Sequence, residues 1–235
     1  MRLDLVQIVR PLRLAVTIAA LWTAASAATA ADMPLTDGAG CGPVRAVTDL
    51  GGLLDYRLRN IDGRVISGLA QVDRFHTEPA QRALAANLRD HSVMADLDFT
   101  LKYSPNHQVA LRMLVAYERA GGQIYEYSEF PCYFFWARQF ASGDAPVLQL
   151  EALREWKTGR SERAEELYKQ ALAIEPDSAE LNYHAGLFYF SKKNYAAARE
   201  HARSAYAAGY PLPGLRLMLQ RAGQWGDPAV PATKP

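Results

Sequence analysis

Apolar positions in residues 145–212 recur at helical spacing, and the pattern repeats once with an offset of 34 residues. Ala152 aligns with Gly186, Ala164 with Ala198, Tyr168 with Ala202, Ala171 with Ala205, and Pro176 with Tyr210. Each block reads as two helices, 146–157 with 161–174 and then 178–191 with 194–207. Gly159 makes the first turn, Ser161 caps the helix after it, and Glu175-Pro176-Asp177 separates the blocks. Small residues stand where antiparallel helices must approach closely, and Tyr168 fills the space towards the next helix. Proline ends a helix by removing a donor and clashing with the preceding turn. Beyond Gly209 and the stretch Tyr210-Pro211-Leu212-Pro213-Gly214, a last helix over 215–222 offers Leu215, Leu217, Met218 and Leu219 to cover the end of the array.

Upstream the same pattern is weaker. One helix is expected from Thr77, which can cap it, with Pro79 early in its first turn. A second runs from Ser92 to Ser104-Pro105, and a third covers Val109–Ala120 with Leu111, Met113, Leu114 and Tyr117 on its apolar face. Gly121-Gly122 stops it, and an aromatic insertion over 123–132 leads into a helix containing Cys132-Tyr133-Phe134-Phe135-Trp136-Ala137. Phe134 and Ala137 precede Tyr168 and Ala171 by 34, so the register survives the insertion. Four units follow: 74–107, 108–144, 145–178 and 179–212. Within 31–75, Leu53–Arg59 and Val65–Val72 flank Asn60-Ile61-Asp62-Gly63, which fits a hairpin. Leu69, Val72 and Phe75 fit a helix equally well.

The alternation of small and large residues, the glycine turn and the terminal break resemble the tetratricopeptide repeat (TPR). The resemblance implies an all-α solenoid of helical hairpins, about four units long, with degenerate upstream units and a capping helix over 213–225. It also implies that the first helix of each unit lines a concave groove. Arg112, Ala116 and Arg119 project there from the second unit, and Gln149, Leu153, Trp156 and Lys157 from the third. Glu180, Tyr183, Leu187 and Phe190 follow from the fourth. Arginines beside aromatic residues suit an extended peptide with apolar anchors and an acidic end. Some TPR domains clamp a terminal carboxylate with lysines and asparagines, but here Asn182 is one residue off that face and Leu153, Tyr183 and Leu187 occupy the slots. That chaperone-binding role is therefore not implied. Asp96-Leu97-Asp98-Phe99-Thr100-Leu101, Pro105-Asn106-His107, Cys132-Tyr133-Phe134 and the Gly209–Leu215 ending resemble a group of small exported bacterial TPR proteins. That likeness implies a periplasmic helical protein with no catalytic role.

The N-terminus changes the accounting. Arg2, Arg10 and Arg13 precede an apolar run of about 15 residues, short of the roughly 20 that span a bilayer, and Ala28-Thr29-Ala30 is a small-x-small cleavage site. The expectation is a cleaved signal peptide over 1–30, a periplasmic or secreted product, and no integral membrane segment afterwards. Removing three arginines and Asp4 from 26 basic and 25 acidic residues leaves a net charge of −1. Without a basic run, nucleic acid is not an expected partner. Two cysteines, Cys41 and Cys132, remain in an exported chain, and an even pair in an oxidising compartment is expected to form a disulfide. Residues 226–235 read as a disordered tail.

Chemistry adds little. His76, His91, His107, His184 and His201 form no H-E-x-x-H pair and neighbour no cysteine, so capping or surface roles are expected rather than a metal site. No nucleophile elbow or phosphate-binding glycine loop is present, and the expectation is a non-enzyme without a cofactor. The Tyr125–Trp136 aromatic cluster has two uses. It can be core around the disulfide, or a surface on which sugar rings stack in a cell-envelope or carbohydrate-binding accessory protein. Glu126 and Glu129 would serve there if the protein were a weakly marked hydrolase.

Overall fold

Short polar side chains fix where most helices begin. In the computed structural model, which describes residues 40–43 and 52–226, ten α-helices occur among the described residues and no strand. They are α1 (Gly63–Val72), α2 (Glu78–Ala85), α3 (His91–Tyr103), α4 (Gln108–Arg119), α5 (Phe130–Phe140), α6 (Ala145–Lys157), α7 (Ser161–Ile174), α8 (Ala179–Ser191), α9 (Tyr195–Ala207) and α10 (Gly214–Arg221). Asp62, Asp90, Asp144, Ser178 and Asn194 each accept a backbone N–H at the start of α1, α3, α6, α8 and α9. The proposed signal segment and residues 227–235 lie outside the described residues.

Three local expectations are corrected. Of the two readings left open for 53–75, the hairpin fails and the helix holds at Leu69 and Val72, although Phe75 is exposed. A 3-10 turn at Tyr56–Leu58 leads into α1, which buries Val65, Leu69 and Val72 on one face at helical spacing. Thr77 starts no helix, because α1 runs into α2 through a π turn, Asp73–Thr77, in which the Glu78 N–H bonds to the Asp73 carbonyl. The wider turn stands just before Pro79, whose missing N–H would leave a regular ladder incomplete. Ser161 is the first residue of α7 rather than its cap, and Arg160 at the cap position makes no side-chain bond to the backbone. At the far end, Leu215 and Leu219 of α10 are fully buried whereas Leu217 is exposed, so the covering face is narrower than its leucines imply.

Close helix approach organises the C-terminal half. The pairs α6–α7 and α8–α9 run against one another along their lengths, and Ala152, Ala164 and Ala198 are fully buried. At Gly186 a Cβ would lie 2.4 Å from Leu215 Cδ2 and 3.3 Å from the Ala198 carbonyl, so α8, α9 and α10 converge where a larger residue would have to displace the Leu215 side chain. Tyr168 is fully buried and packs on Phe188 with ring centroids 5.3 Å apart. The helix α6 serves both halves: Val147 and Leu150 join the upstream core, and Ala145, Leu148 and Ala152 the downstream one. By contrast α4 packs more on α6 than on α5. Tyr133, Phe134 and Trp136 of α5 are buried and bulky, which holds that pair apart.

Covalent and polar ties do the work of tight hairpins upstream. Cys41 and Cys132 form the expected disulfide with Cα atoms 5.3 Å apart, and Trp136 donates from Nε1 to the Gly42 carbonyl at 2.9 Å. Their separation of 91 residues corresponds to roughly 4–5 kcal/mol in the chain-entropy model. Fully buried Asn106 donates from Nδ2 to Asp55 (2.8 Å) and Asp144 (3.0 Å) and accepts the Tyr56 N–H. One amide thus joins the N-terminal segment, the α3–α4 turn and the start of α6. Burial opposes ionisation of Asp55, but hydrogen bonds from Arg57 and Asn106 and the Arg57 charge hold its carboxyl below the usual range. Asp144 is pushed up by burial. Buried Arg154 ties α6 to α4 through two bonds to Glu118, at 2.7 and 2.8 Å, and a third to Glu155 at 2.9 Å.

Gly186→Ala should destabilise the chain by about 1–3 kcal/mol through overpacking against Leu215, and Leu215→Ala in the same chain should make Gly186→Ala less costly. Arg154→Leu should cost about 3–5 kcal/mol, because Glu118 is left charged without its partner while Glu155 keeps only Arg160. Urea unfolding of the purified chain measures both.

Candidate functional site

The first helices of the last three hairpins, α4, α6 and α8, lie side by side with α6 in the middle. Arg112, the fifth residue of α4, donates from Nη2 to Oε1 of Glu180, the second residue of α8, at 2.8 Å. Side chains from two helices flanking α6 meet across it, so the face is concave there. Gln149 of α6 also hydrogen-bonds Glu180, and His184 Nε2 lies 3.8 Å from Glu180 Oε1. A cavity of about 40 Å³ adjoins the bridge, lined in part by Gln108, Arg112, Pro146, Gln149 and Glu180. Burial works against the Glu180 carboxylate, but Arg112, His184 and Gln149 together hold it below its ordinary value. His184 is pulled down by burial, against the attraction of Glu180.

The opposite end of the same face is built differently. Arg119, Trp156 and Phe190 are each the twelfth residue of their helix, close to its C-terminus. Trp156 packs edge-on against Phe188, with centroids 5.8 Å apart, and Phe190 packs edge-on against Tyr195 at 5.4 Å. Both indole and phenyl rings remain half-buried, as do Leu153 and Leu187 between them and the latched end. The Lys157 ammonium sits 3.4 Å from the centre of the Trp156 ring. Burial first, and then the Arg119 charge, lower the Lys157 pKa. Arg119 is exposed, and no carboxylate among the described residues forms an ion pair with either cation. Arg154, Glu118, Glu155 and Arg160 close by neutralise one another.

The groove projected from sequence thus falls into three groups. Arg112 and Glu180 meet each other. Arg119, Trp156, Lys157 and Phe190 gather at the helix C-termini. Gln149 and Tyr183 are buried, 6% and 7% exposed, and serve the scaffold. Tyr183 stacks on Tyr210 with centroids 4.1 Å apart, and its hydroxyl lies 2.7 Å from where a Cβ on Gly214 would stand. It holds the 210–214 segment, and so the approach of α10. Sequence reasoning missed the Arg112–Glu180 bridge; the partners are 68 residues apart, and only the charges themselves hinted at it.

Each histidine has a partner. His76 Nδ1 meets Asp96 at 2.9 Å, His91 Nε2 meets Glu126 and Tyr127, and His107 accepts the Ala110 N–H on Nδ1 while Nε2 faces Asp73 at 3.0 Å. His201 Nδ1 bonds to Asn182 Oδ1 at 3.0 Å, and the Asn182 amide donates to the Pro176 and Ser178 carbonyls. Asn182 therefore fixes the α7–α8 turn. The aromatic cluster divides. Tyr133, Phe134 and Trp136 are core, with Tyr133 donating to Asp98 at 2.6 Å, while Tyr125 and Tyr127 flank His91 nearer the surface. Burial pushes the Tyr133 phenol up.

A tetratricopeptide repeat family model matches residues 156–205, from the end of α6 through α7 and α8 into α9. None of the curated proteins compared with the chain matches it. The matched hairpins are those in which small residues set the helix crossings, and α6 and α8 supply two of the three helices of the concave face.

Burial holds the His201 imidazole below its ordinary range, with Glu200 opposing. A depressed histidine contributes stability that is complete above the unfolded-state value of about 6.5 and is lost as pH falls towards the folded value. Between pH 7.5 and 5 the thermal midpoint of the native chain should fall more steeply than that of His201→Gln. His184 is shifted the same way in both, so the difference in slope isolates His201.

Proposed function

We propose that this chain is a non-catalytic scaffold of the bacterial periplasm or exterior, which holds an extended segment of a partner protein across α4, α6 and α8. The repeat match supports a protein-interaction module. The observation that carries the reading is the end of the face near the C-termini of α4 and α6, where Arg119 and Lys157, two cations without acidic partners among the described residues, adjoin the half-buried Trp156 ring. Aromatic and arginine side chains are the residue types that dominate binding energy at interfaces. Export is supported by the basic and apolar N-terminal segment with its small-residue cleavage site, and by a disulfide, which persists in oxidising compartments. The described helices include none long and apolar enough to cross a membrane.

Ala116 is exposed on α4 between Arg112 and Arg119, so a large side chain there fills the groove without touching the core. Full-length protein expressed with its leader should be recovered from a periplasmic extract with its partner. Ala116→Trp should abolish recovery of that partner while leaving the helical circular dichroism and the unfolding midpoint close to native. Undiminished recovery with Ala116→Trp would sink the groove reading.

A further inference from the structure

Glu180 is the only part of the fourth unit that reaches the second across the face among the ion pairs of the described residues. In a solenoid each unit ordinarily contacts its neighbours alone. Here a carboxylate from α8 lies over α6 and is held by Arg112 of α4. Arg112 and Glu180 are about half exposed, at 51% and 45%, so the pair is a weak surface bridge rather than a buried clamp. It is thus in place yet easily exchanged. Resting on the groove reading above, we infer that Glu180 is a built-in substitute for a carboxylate of the bound segment, and that the partner is an extended acidic peptide with two carboxylates three residues apart.

The spacing follows from helix geometry. Arg112 and Arg119 are seven residues apart on α4, which at 1.5 Å per residue is about 10 Å along the axis. A peptide in the polyproline II conformation rises about 3.1 Å per residue with three residues per turn, so about three residues cover that distance and side chains three apart share one face. One carboxylate enters the end marked by Arg119 and Lys157, at the C-termini of α4 and α6. The second replaces Glu180 on Arg112. Between them the peptide passes Ala116, Leu153 and Leu187, a small side chain and two half-buried leucines, which favour an apolar residue at an intervening position. Charge complementarity is strongest at the Arg119 end, where burial and the nearby Arg119 charge both disfavour the Lys157 ammonium and an incoming anion offsets them. Glu180 repels the second carboxylate until it is displaced, which makes the latched state the weaker binder.

Fluorescein-labelled peptides capped at both ends test this by anisotropy at low and moderate salt. One carries two glutamates three residues apart with leucine between them, one has adjacent glutamates, and one has glutamines in their place. The native chain should prefer the first, and the preference should shrink with added salt. Glu180→Gln should tighten that peptide about two- to fivefold, the range an exposed ion pair sets. Arg119→Gln with Lys157→Gln should weaken it about tenfold or more, as expected for lost bonds to a charged group. Equal binding of the adjacent and spaced peptides, no binding of any of them, or looser binding with Glu180→Gln would each overturn the inference. Ala116→Trp separates the two levels. If it removes the periplasmic partner while Glu180→Gln and the paired glutamine variant leave that partner's recovery unchanged, the groove stands and the acidic specificity falls.

Discussion

Close approach of helices at small residues is the constraint on which this molecule depends. Gly186 lies within reach of Leu215 and the Ala198 backbone, and one added methyl group would push the buried Leu215 side chain aside. Ala152 and Ala164 are equally buried in the preceding hairpin. These crossings set α6 against α7 and α8 against α9, and that arrangement leaves α6 and α8 side by side. The concave face is a consequence of the packing behind it. A longer side chain at Gly186 would act on the face through α8 and α10 without touching any ligand.

The N-terminal half solves the same problem by other means. Large aromatic residues on α5 keep it from lying close along α4, so the second hairpin cannot rely on small-residue contact. A disulfide, the Trp136–Gly42 hydrogen bond and the three-way Asn106 amide supply the missing ties. Arg154 then joins α4 to α6 through Glu118, which carries the order of the downstream repeats back to the irregular part. The aromatic insertion is therefore mostly core, with Tyr125 and Tyr127 left near the surface beside His91.

Across the face, electrostatics divide two ends that the backbone makes alike. One end is internally neutral, because Arg112 and Glu180 satisfy each other. The other carries Arg119 and Lys157 at helix C-termini, where positive charge is favoured by the helix dipole. Neighbouring carboxylates do not neutralise these two cations: Glu118 and Glu155 are already committed to Arg154 and Arg160. The open cations and the half-buried indole set this end apart from the internally neutral one.

The sequence by itself determined the helical pairs, their breaks, the 34-residue register and the cysteine pair. Helical period, glycine and proline punctuation and small-residue spacing are local properties, legible wherever they recur cleanly, as in 145–212. The reading weakened at 53–77, where short apolar runs fit more than one element and a π turn absorbs Pro79 within a continuous helix. Tertiary structure alone decided which side chains of the projected groove remain open. Tyr183 and Phe190 look equivalent along the chain, yet Tyr183 is covered by Tyr210 from the following segment, and Phe190 stays half-buried. Arg112 and Arg119 are both arginines on one helix face, and only the first meets a carboxylate, on a helix 68 residues away. Charge and polarity are written in the residue, but pairing depends on which surfaces converge after three hairpins have stacked.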